Sequence, residues 1–241
     1  MHIDVIASVG ESRVIDLTHR TVIVIDALRA TSTIVTALAH GALGVVPVET
    51  VGQAKQCCEP DDVLGGERFC KKIAGFHVGN SPFEYMNEEI RGKRIVMTTT
   101  NGTRAIQKAI RAERILAGSF LNARACSQAA WNLRKDVALL CAGTQDSFAL
   151  EDGLCAGLLL HELMKAAESS SDSVTTNDLG SMSMSAYLHH EDSLYEALLN
   201  SSSGRRLSKL GYTKDIEYCA TVNSISLVPH YEQLMMIPMA I

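Results

Sequence analysis

The sequence predicts an α/β protein with a mostly parallel sheet that helices cover on both faces. Short β-branched runs alternate with amphipathic stretches, and small polar loops rather than hairpin turns join them. This alternation is typical of βαβ units, which place parallel strands in one sheet. The first such run, residues 21–26, is apolar on both faces, as expected of a strand that helices cover on both sides.

A helical pattern follows each predicted strand. Residues 31–40 carry apolar side chains at helical spacing and predict the helix after the first strand. The same reasoning predicts further pairs of one strand and one helix, at residues 45–48 and 51–58, 94–98 and 102–110, 114–117 and 122–132, and 137–141 and 150–165.

The C-terminal part of the chain has a different character. Residues 166–178 form a low-complexity polar stretch, where we expect an exposed loop or a boundary between two lobes. Residues 179–199 are mostly helical in pattern, and residues 201–211 are rich in serine, glycine and basic side chains. Residues 223–229 predict a last strand. We expect residues 1–241 to form one functional unit.

The composition is that of a globular protein and limits its partners. The chain has 241 residues, 46% of them hydrophobic, and can bury a core without disulfides or metal. Its net charge of -5 argues against binding the phosphate backbone of nucleic acid, but not against binding a small anion. The longest apolar run, residues 153–160, is too short to span a membrane, so we expect no membrane association.

The cysteines and the amino terminus indicate a cytoplasmic protein. The seven cysteines are odd in number, several lie in apolar runs, and none forms the C-x-x-C pair that would predict a zinc or redox site. The amino terminus lacks the basic start and apolar core of a secretory signal.

A polar loop follows the first predicted strand at its carboxyl end, where parallel sheets bind ligands. It contains Asp26 and Arg29 and opens the next helix with Thr31, Ser32 and Thr33. Backbone N–H groups, hydroxyls and an arginine at a helix start can bind an anion. Taken singly, Asp26 is better explained as a turn residue and Thr31 or Ser32 as a helix cap. The arginine beside them favours the anion site.

A second loop repeats this arrangement after the strand at residues 94–98. It combines hydroxyls, an Asn-Gly turn and a helix start, in the order Thr99, Thr100, Asn101, Gly102, Thr103. Alone, the loop is explained as well by a turn with threonine caps as by an anion site. Two such loops at one sheet edge favour the anion site.

A long glycine-punctuated segment contains Glu67, Arg68, Asn80 and Ser81, and its aromatic residues favour an ordered functional loop over disorder. The lysines within it are explained as a solvated surface. A haloacid-dehalogenase phosphatase would carry Asp-x-Asp after the first strand, but Leu28 occupies the second acidic position and excludes that class.

Glu151 and Asp152 lie at the start of the helix predicted at residues 150–165. Either acid alone is explained by the helix dipole. Together, beside a strand-end crevice, they also suit Mg²⁺, which prefers oxygen ligands and phosphate oxygens. The histidines follow no metal-ligand or catalytic spacing and are expected to be surface or core residues: His2, His19, His40, His161, His189 and His190.

Several motifs, in order, resemble the 2-phosphosulfolactate phosphatase family. The resemblance extends from about residue 22 to residue 229. The matching segments are residues 24–33, 66–68, 75–76, 79–82, 98–103, 141–143, 150–152 and 215–220. Cys70 stands where the family pattern leads us to expect glycine, and His77 where it leads us to expect aspartate.

The resemblance implies a two-lobed, three-layer α/β/α fold with mixed, largely parallel sheets, and a Mg²⁺-dependent phosphatase. Members of this family release phosphate from 2-phospho-3-sulfolactate to give 3-sulfolactate, a step toward coenzyme M in methanogens. The implied partner is therefore a small anionic phosphorylated substrate. A homodimer is one alternative for the oligomeric state. Another phosphorylated organic acid as substrate and a non-catalytic anion-binding protein are the alternative functions.

The residue reasoning and the resemblance agree on two sets of site residues. Candidates for Mg²⁺ ligation or acid/base catalysis are Asp26, Glu67, Glu151 and Asp152. Candidates for substrate binding are Arg29, Thr31, Ser32, Thr33, Arg68, Asn80, Ser81, Thr99, Thr100, Asn101, Gly102 and Thr103. Direct attack by water and a phospho-enzyme on Asp26 both remain open at this point.

Overall fold

A computed structural model describes residues 1–168 and 172–239 of the chain. Within these ranges the strands are β1 (His2–Ile6), β2 (Thr21–Ile25), β3 (Gly44–Pro47), β4 (Val63–Arg68), β5 (Lys71–Lys72), β6 (Arg94–Thr98), β7 (Arg114–Gly118), β8 (Val137–Cys141), β9 (Thr175–Thr176), β10 (Pro229–Glu232) and β11 (Met235–Pro238).

The helices alternate with these strands until residue 168 and then follow one another. They are α1 (Val14–Leu17), α2 (Ala30–Ala39), α3 (Val51–Cys57), α4 (Gly102–Lys108), α5 (Ala123–Asn132), α6 (Leu150–Glu168), α7 (Asp178–His190), α8 (Leu194–Asn200), α9 (Ser202–Lys209) and α10 (Thr213–Cys219). Short 3-10 helices lie at Pro82–Tyr85, Glu88–Ile90, Phe120–Asn122 and Glu191–Ser193.

The strands of the described residues form one mixed sheet in the order β5-β4-β6-β3-β11-β10-β7-β2-β8-β1-β9. Two parallel blocks can be distinguished within it. One block contains β4, β6 and β3, and the other contains β7, β2, β8, β1 and β9. The antiparallel hairpin β10–β11 joins them, because β10 pairs with β7 and β11 pairs with β3. The predicted mixed, largely parallel sheet is confirmed.

The central strand β2 shows why the protein has three layers. All of its side chains are buried. Val22 and Val24 belong to the core on one face, with α2 and α4, whereas Ile23 and Ile25 belong to the core on the other face, with α5 and α6. Successive side chains of a strand point to opposite faces, so a run of β-branched residues requires helices on both sides. The predicted α/β/α layering is confirmed.

The predicted strands and helices up to residue 165 are present, with small changes at their ends. The sequence reasoning missed the strands β1, β4, β5, β9 and β11 and the helices α1, α9 and α10. Residues 223–229 are not a strand, and the prediction there was wrong, because the C-terminal hairpin begins only at Pro229. The polar residues 166–168 continue α6, residues 175–176 form the edge strand β9, and residues 169–171 lie outside the described residues.

The sheet curves strongly, and this curvature positions the site. Five strand spacings separate β6 from β2 in the sheet order, which would be roughly 24 Å in a flat sheet. However, a Cβ atom built on Gly102, at the start of α4 after β6, would lie 2.7 Å from Oδ2 of Asp26, the residue after β2. The carboxyl ends of the two parallel blocks therefore meet each other.

Candidate active site

A small cavity lies where the two parallel blocks meet. Its volume is about 120 Å³, and it is smaller than the roughly 300–1,000 Å³ pockets that bind drug-sized ligands. The residues that line it come from the ends of β2, β4, β6 and β8, from the loop at Asn80 and from α9: Asp26, Leu28, Arg29, Glu67, Phe69, Cys70, Asn80, Thr100, Asn101, Thr144, Gln145, Ser202, Ser203 and Arg206.

Asp26 is a buried carboxylate at the end of β2, 8% exposed. Its Oδ1 accepts a hydrogen bond from the Ala30 N–H at 3.0 Å, and no hydrogen bond to Oδ2 is present in the described part of the chain. Burial, with the negative charges of Glu67 and Glu151, raises the pKa of Asp26 to about 7. Asp26 is therefore poised to hold or release a proton near neutral pH.

Glu67 and Asp152 are carboxylates that hold loops in place. Both oxygens of Glu67 accept backbone N–H groups, from Cys70 at 2.6 Å and from Thr100 at 2.8 Å. Both oxygens of Asp152 do the same with Ala27 and Gly143, each at 2.9 Å. Burial, with the charges of Asp26 and Glu151, raises the pKa of Asp152 well above its usual value. These two acids fix the strand-end loops that form the cavity.

Glu151 differs from its neighbour Asp152. Its side chain is 3% exposed, and it accepts no hydrogen bond from the residues that the structure describes. Together with Oδ2 of Asp26, it therefore provides oxygens that the protein does not use. The sequence reasoning did not separate Glu151 from Asp152, because adjacent helical residues have the same local signal.

The free oxygens of Asp26 and Glu151 are of the kind that Mg²⁺ prefers as ligands. No group of three or more His, Cys, Asp or Glu side chains is arranged as a metal site in residues 1–168 and 172–239. Mg²⁺, however, is commonly held by one or two carboxylates together with phosphate oxygens and water. Asp26 lines the cavity, whereas Glu151 does not line it but is near enough for its charge to raise the pKa of Asp26. Asn80 also lines the cavity, and its buried Oδ1 has no hydrogen-bond partner among the described residues.

Arg29 lines the cavity, but a carboxylate already compensates its charge. Its Nη1 donates to Oδ2 of Asp215 at 2.5 Å, and its guanidinium carbon lies 4.3 Å from the ring centroid of Tyr212. Ser81 donates to the other Asp215 oxygen at 3.0 Å. This buried network joins the loop after β2, the loop at Ser81 and α10.

The predicted threonine and serine hydroxyls are occupied by the protein. Thr31 donates to the Asp26 carbonyl, Ser32 to the Ala27 carbonyl and Thr33 to the Asn80 carbonyl, at 2.9–3.0 Å. Thr99 and Thr103 each accept the other's backbone N–H at 3.1 Å. None of these five hydroxyls lines the cavity. The explanation of Thr31 or Ser32 as a helix cap is wrong, because Arg29 is the N-cap residue of α2 and its side chain makes no capping hydrogen bond. The hydroxyls instead hold the two loops by turn contacts.

Arg68 and His77 also lie outside the lining of the cavity. Arg68 is on β4 rather than in a loop, and it donates to the carbonyls of Glu67 and Glu49 and to the Thr98 hydroxyl. His77 is exposed and accepts the Leu64 N–H on Nδ1 at 2.9 Å. The departure at residue 77 from the expected aspartate therefore affects the edge of β4 and not the cavity.

Besides Arg29, four of the predicted binding residues are brought together at or beside the cavity. Asn80, Thr100 and Asn101 line it. Gly102 does not, but it allows α4 to approach Asp26, because a side chain there would also meet the Ala30 Cβ at 2.4 Å. None of the six histidines set aside in the sequence analysis lines the cavity.

Two tight turns form part of the cavity wall. Phe69 and Cys70 join β4 to β5 with φ angles of 54° and 64°, and Gln145 and Asp146 form a similar turn after β8 with φ angles of 52° and 60°. Positive φ at both central residues is the type I′ geometry, which favours glycine and asparagine. The glycine expected at position 70 is explained by this backbone conformation.

The sequence reasoning missed two charged residues of the site. Asp215 lies within the motif at residues 215–220, but only the structure reveals that it pairs with Arg29. Arg206 lines the cavity from α9, in the basic stretch at residues 201–211, to which no function was assigned. The density of basic residues in that stretch was the available signal.

No helix in the described ranges is long and apolar enough to cross a membrane.

The family model for 2-phosphosulpholactate phosphatase matches residues 8–234. Similar proteins named "Probable 2-phosphosulfolactate phosphatase" occur in Caldanaerobacter subterraneus (41% identity, covering 89% of this chain and 88% of the relative) and in Thermotoga maritima (44%, covering 87% and 88%). Another, from Clostridium acetobutylicum, is 38% identical over 96% of this chain and 97% of the relative. The chain belongs to the 2-phosphosulpholactate phosphatase family.

Proposed function

We propose that this protein is a Mg²⁺-dependent phosphatase that hydrolyses 2-phospho-3-sulfolactate to 3-sulfolactate and phosphate. Family membership supports the reaction and the substrate. The observation that carries the metal dependence is the acidic cavity itself. Asp26 and Glu67 line it and Glu151 is close enough to raise the pKa of Asp26, so a phosphorylated anion would be repelled without a cation.

Asp26 and Glu151 would hold the Mg²⁺, because their unpaired oxygens are the ones that the protein leaves available. When bound, Mg²⁺ would neutralise the phosphoryl oxygens and stabilise the charge that develops as the P–O bond breaks. Glu67 and Asp152 hold the backbone of the surrounding loops by two hydrogen bonds each. Such a fixed frame requires little reorganisation during the reaction.

Asn80, which lines the cavity, would orient the phosphoryl group. The residue is 6% exposed and lines the cavity, and its buried Oδ1 has no partner among the described residues. An amide can present either its oxygen or its NH₂ group, so it can bind the metal or a phosphate oxygen. We further propose a cytoplasmic location, which the seven free cysteines support.

The decisive experiment measures phosphate release from 2-phospho-3-sulfolactate by the full chain. The metal-free protein, prepared with EDTA, should be inactive, and Mg²⁺ should restore turnover. Mg²⁺ should also raise the melting temperature of the wild type but not of Glu151→Gln. Full activity in a metal-free sample would refute the metal dependence. If the protein hydrolysed 2-phospholactate but not 2-phospho-3-sulfolactate, its substrate would be a different phosphorylated acid. If it bound these compounds without hydrolysing them, it would be an anion-binding protein.

A further inference from the structure

Three arginines lie around the candidate active site, and the protein uses two of them for its own contacts. Arg29 is 3% exposed and is paired with Asp215. Arg68 donates to three protein oxygens and does not line the cavity. Neither guanidinium is available as the main ligand of a substrate anion.

Arg206 is different in each of these respects. It is exposed, it lines the cavity, and no carboxylate in residues 1–168 or 172–239 lies within ion-pair distance of it. Its guanidinium is near enough to the Cys70 thiol to lower the pKa of that thiol, against the larger opposite effect of burial. Arg206 is therefore a cation at the cavity whose charge the described part of the protein does not compensate.

The cavity is asymmetric in charge. The acids Asp26 and Glu67 lie on one wall, at the ends of β2 and β4, whereas Arg206, Ser202 and Ser203 come from α9 on another wall. A metal and the phosphoryl group belong on the acidic wall. The rest of a substrate that carries further anionic groups is then placed toward α9.

We propose that Arg206 binds a non-reacting anionic group of the substrate, its sulfonate or its carboxylate, and thereby selects multiply charged phosphoesters. This inference rests on the proposed function. A guanidinium presents paired N–H donors that match both oxyanions in a two-point contact, which a lysine cannot reproduce. Because this group is bound equally before and during the reaction, the contact should lower KM and leave kcat largely unchanged.

Kinetics of Arg206→Gln, Arg206→Lys and Arg205→Gln test the proposal. Arg205 is the matched control, because it is exposed on the same helix, carries the same charge and does not line the cavity. With 2-phospho-3-sulfolactate, Arg206→Gln should raise KM by about 10- to 100-fold, Arg206→Lys should recover part of the loss, and Arg205→Gln should change KM by less than about threefold.

The substrate series identifies the group that Arg206 binds. 2-Phospholactate lacks the sulfonate and 2-phosphooxyethanesulfonate lacks the carboxylate. Arg206→Gln should have little effect on the compound that lacks the group bound. Equal KM values for wild type and Arg206→Gln on every compound would overturn the proposal, as would an equal loss in Arg205→Gln.

A binding measurement separates this proposal from the proposed function. The probe is 3-sulfolactate, which carries both non-reacting anions and no phosphoryl group. Wild type should bind it in calorimetry, and Arg206→Gln should bind it about 10- to 100-fold more weakly. If the wild type bound 3-sulfolactate but hydrolysed no phosphoester, the proposed phosphatase activity would be refuted, whereas the role of Arg206 in anion binding would still be supported. No binding to wild type, or equal binding to both, would overturn the inference.

Discussion

The four candidate carboxylates, Asp26, Glu67, Glu151 and Asp152, differ in the hydrogen bonds that their oxygens accept. Glu67 and Asp152 use both oxygens to accept backbone N–H groups, whereas Glu151 and Oδ2 of Asp26 have no such donors among the described residues. A carboxylate that fixes a loop and a carboxylate that binds a ligand have the same sequence signal. The distinction becomes visible only when the hydrogen bonds are known.

Glu151→Gln tests whether Glu151 is catalytic. Removing a metal ligand or a general base should lower kcat by about 10² or more. The melting temperature should stay equal or rise, since one of several crowded negative charges is removed. Steady-state kinetics at saturating Mg²⁺ and thermal melting of the metal-free proteins in EDTA check this. A lower melting temperature with normal turnover would instead make Glu151 a partner of the α6 dipole, worth about 0.3–1 kcal/mol.

Asp26 should make the stability of the metal-free protein fall as pH rises. Its pKa is 3.8 in its ordinary state and about 7 in the folded protein, so between these values the folded state binds a proton that the unfolded chain has lost. Stability therefore decreases from about pH 4 to about pH 7 and is constant above that for this group. Asp152, whose pKa is also raised, acts in the same direction.

Asp26→Asn should make this pH dependence shallower. At pH 8 the metal-free variant should be more stable than wild type, by roughly 0.5–2 kcal/mol, because a buried charge is removed. Turnover should be lost at the same time. Urea unfolding at pH 5 and pH 8 in EDTA checks this. Equal pH dependence in the variant and the wild type would assign the effect to other groups.

The turn between β4 and β5 places two non-glycine residues in a backbone conformation that favours glycine. Phe69 and Cys70 both have positive φ, and Cys70 lies at the cavity. Non-glycine residues in this conformation cost roughly 1 kcal/mol each. The turn nevertheless positions the Cys70 N–H for Glu67. Strain of this kind is often found where a loop must hold a functional geometry.

Cys70→Gly should stabilise this turn. Glycine adopts positive φ without a steric penalty, so the free energy of unfolding should rise by roughly 0.5–1 kcal/mol. Cys70→Ala is the control, because it also removes the thiol but keeps a Cβ atom at the strained position. Urea unfolding of both variants measures the difference. If Cys70→Gly is no more stable than Cys70→Ala, the backbone at residue 70 is not strained.

The whole molecule depends on the hairpin β10–β11, which joins the two parallel blocks. Each of its strands pairs with a neighbouring block at a single register position, His230 with Leu116 and Met236 with Val45. Met236 is fully buried, whereas Leu234 in the turn is 68% exposed. The cavity draws residues from both blocks, so the same hairpin that joins the sheet also holds the site together.

Met236→Ala should weaken the joint between the blocks. Loss of a buried methionine side chain costs about 2–5 kcal/mol, and Leu234→Ala, an exposed change in the same hairpin, should stay within about 0.5 kcal/mol. Circular dichroism measures the unfolding of both blocks. Fluorescence of the single tryptophan, Trp131, measures the unfolding of the block that contains β7 and β2. Equal stability of both variants would contradict a structural role for the hairpin.

The sequence by itself determined the layered α/β fold and the family, because those follow from local patterns. Alternating β-branched and amphipathic runs predict strands and helices one element at a time, and the motif order identifies the family without any distances. Asp26, Arg29, Glu67, Asn80, Thr100 and Asn101 were also predicted correctly as residues near one another, since loops at strand ends converge in such sheets.

Only the tertiary structure decided which of these residues have free polar atoms. The ends of β2 and β6 meet because the sheet curves around the C-terminal hairpin, a long-range arrangement that no local pattern encodes. Packing then determined that Arg29 is paired with Asp215, that the predicted hydroxyls bond to carbonyls, and that Arg206 faces the cavity without a carboxylate partner in the described residues. Hydrogen-bond partners depend on which segments meet, and that information is absent from spacing alone.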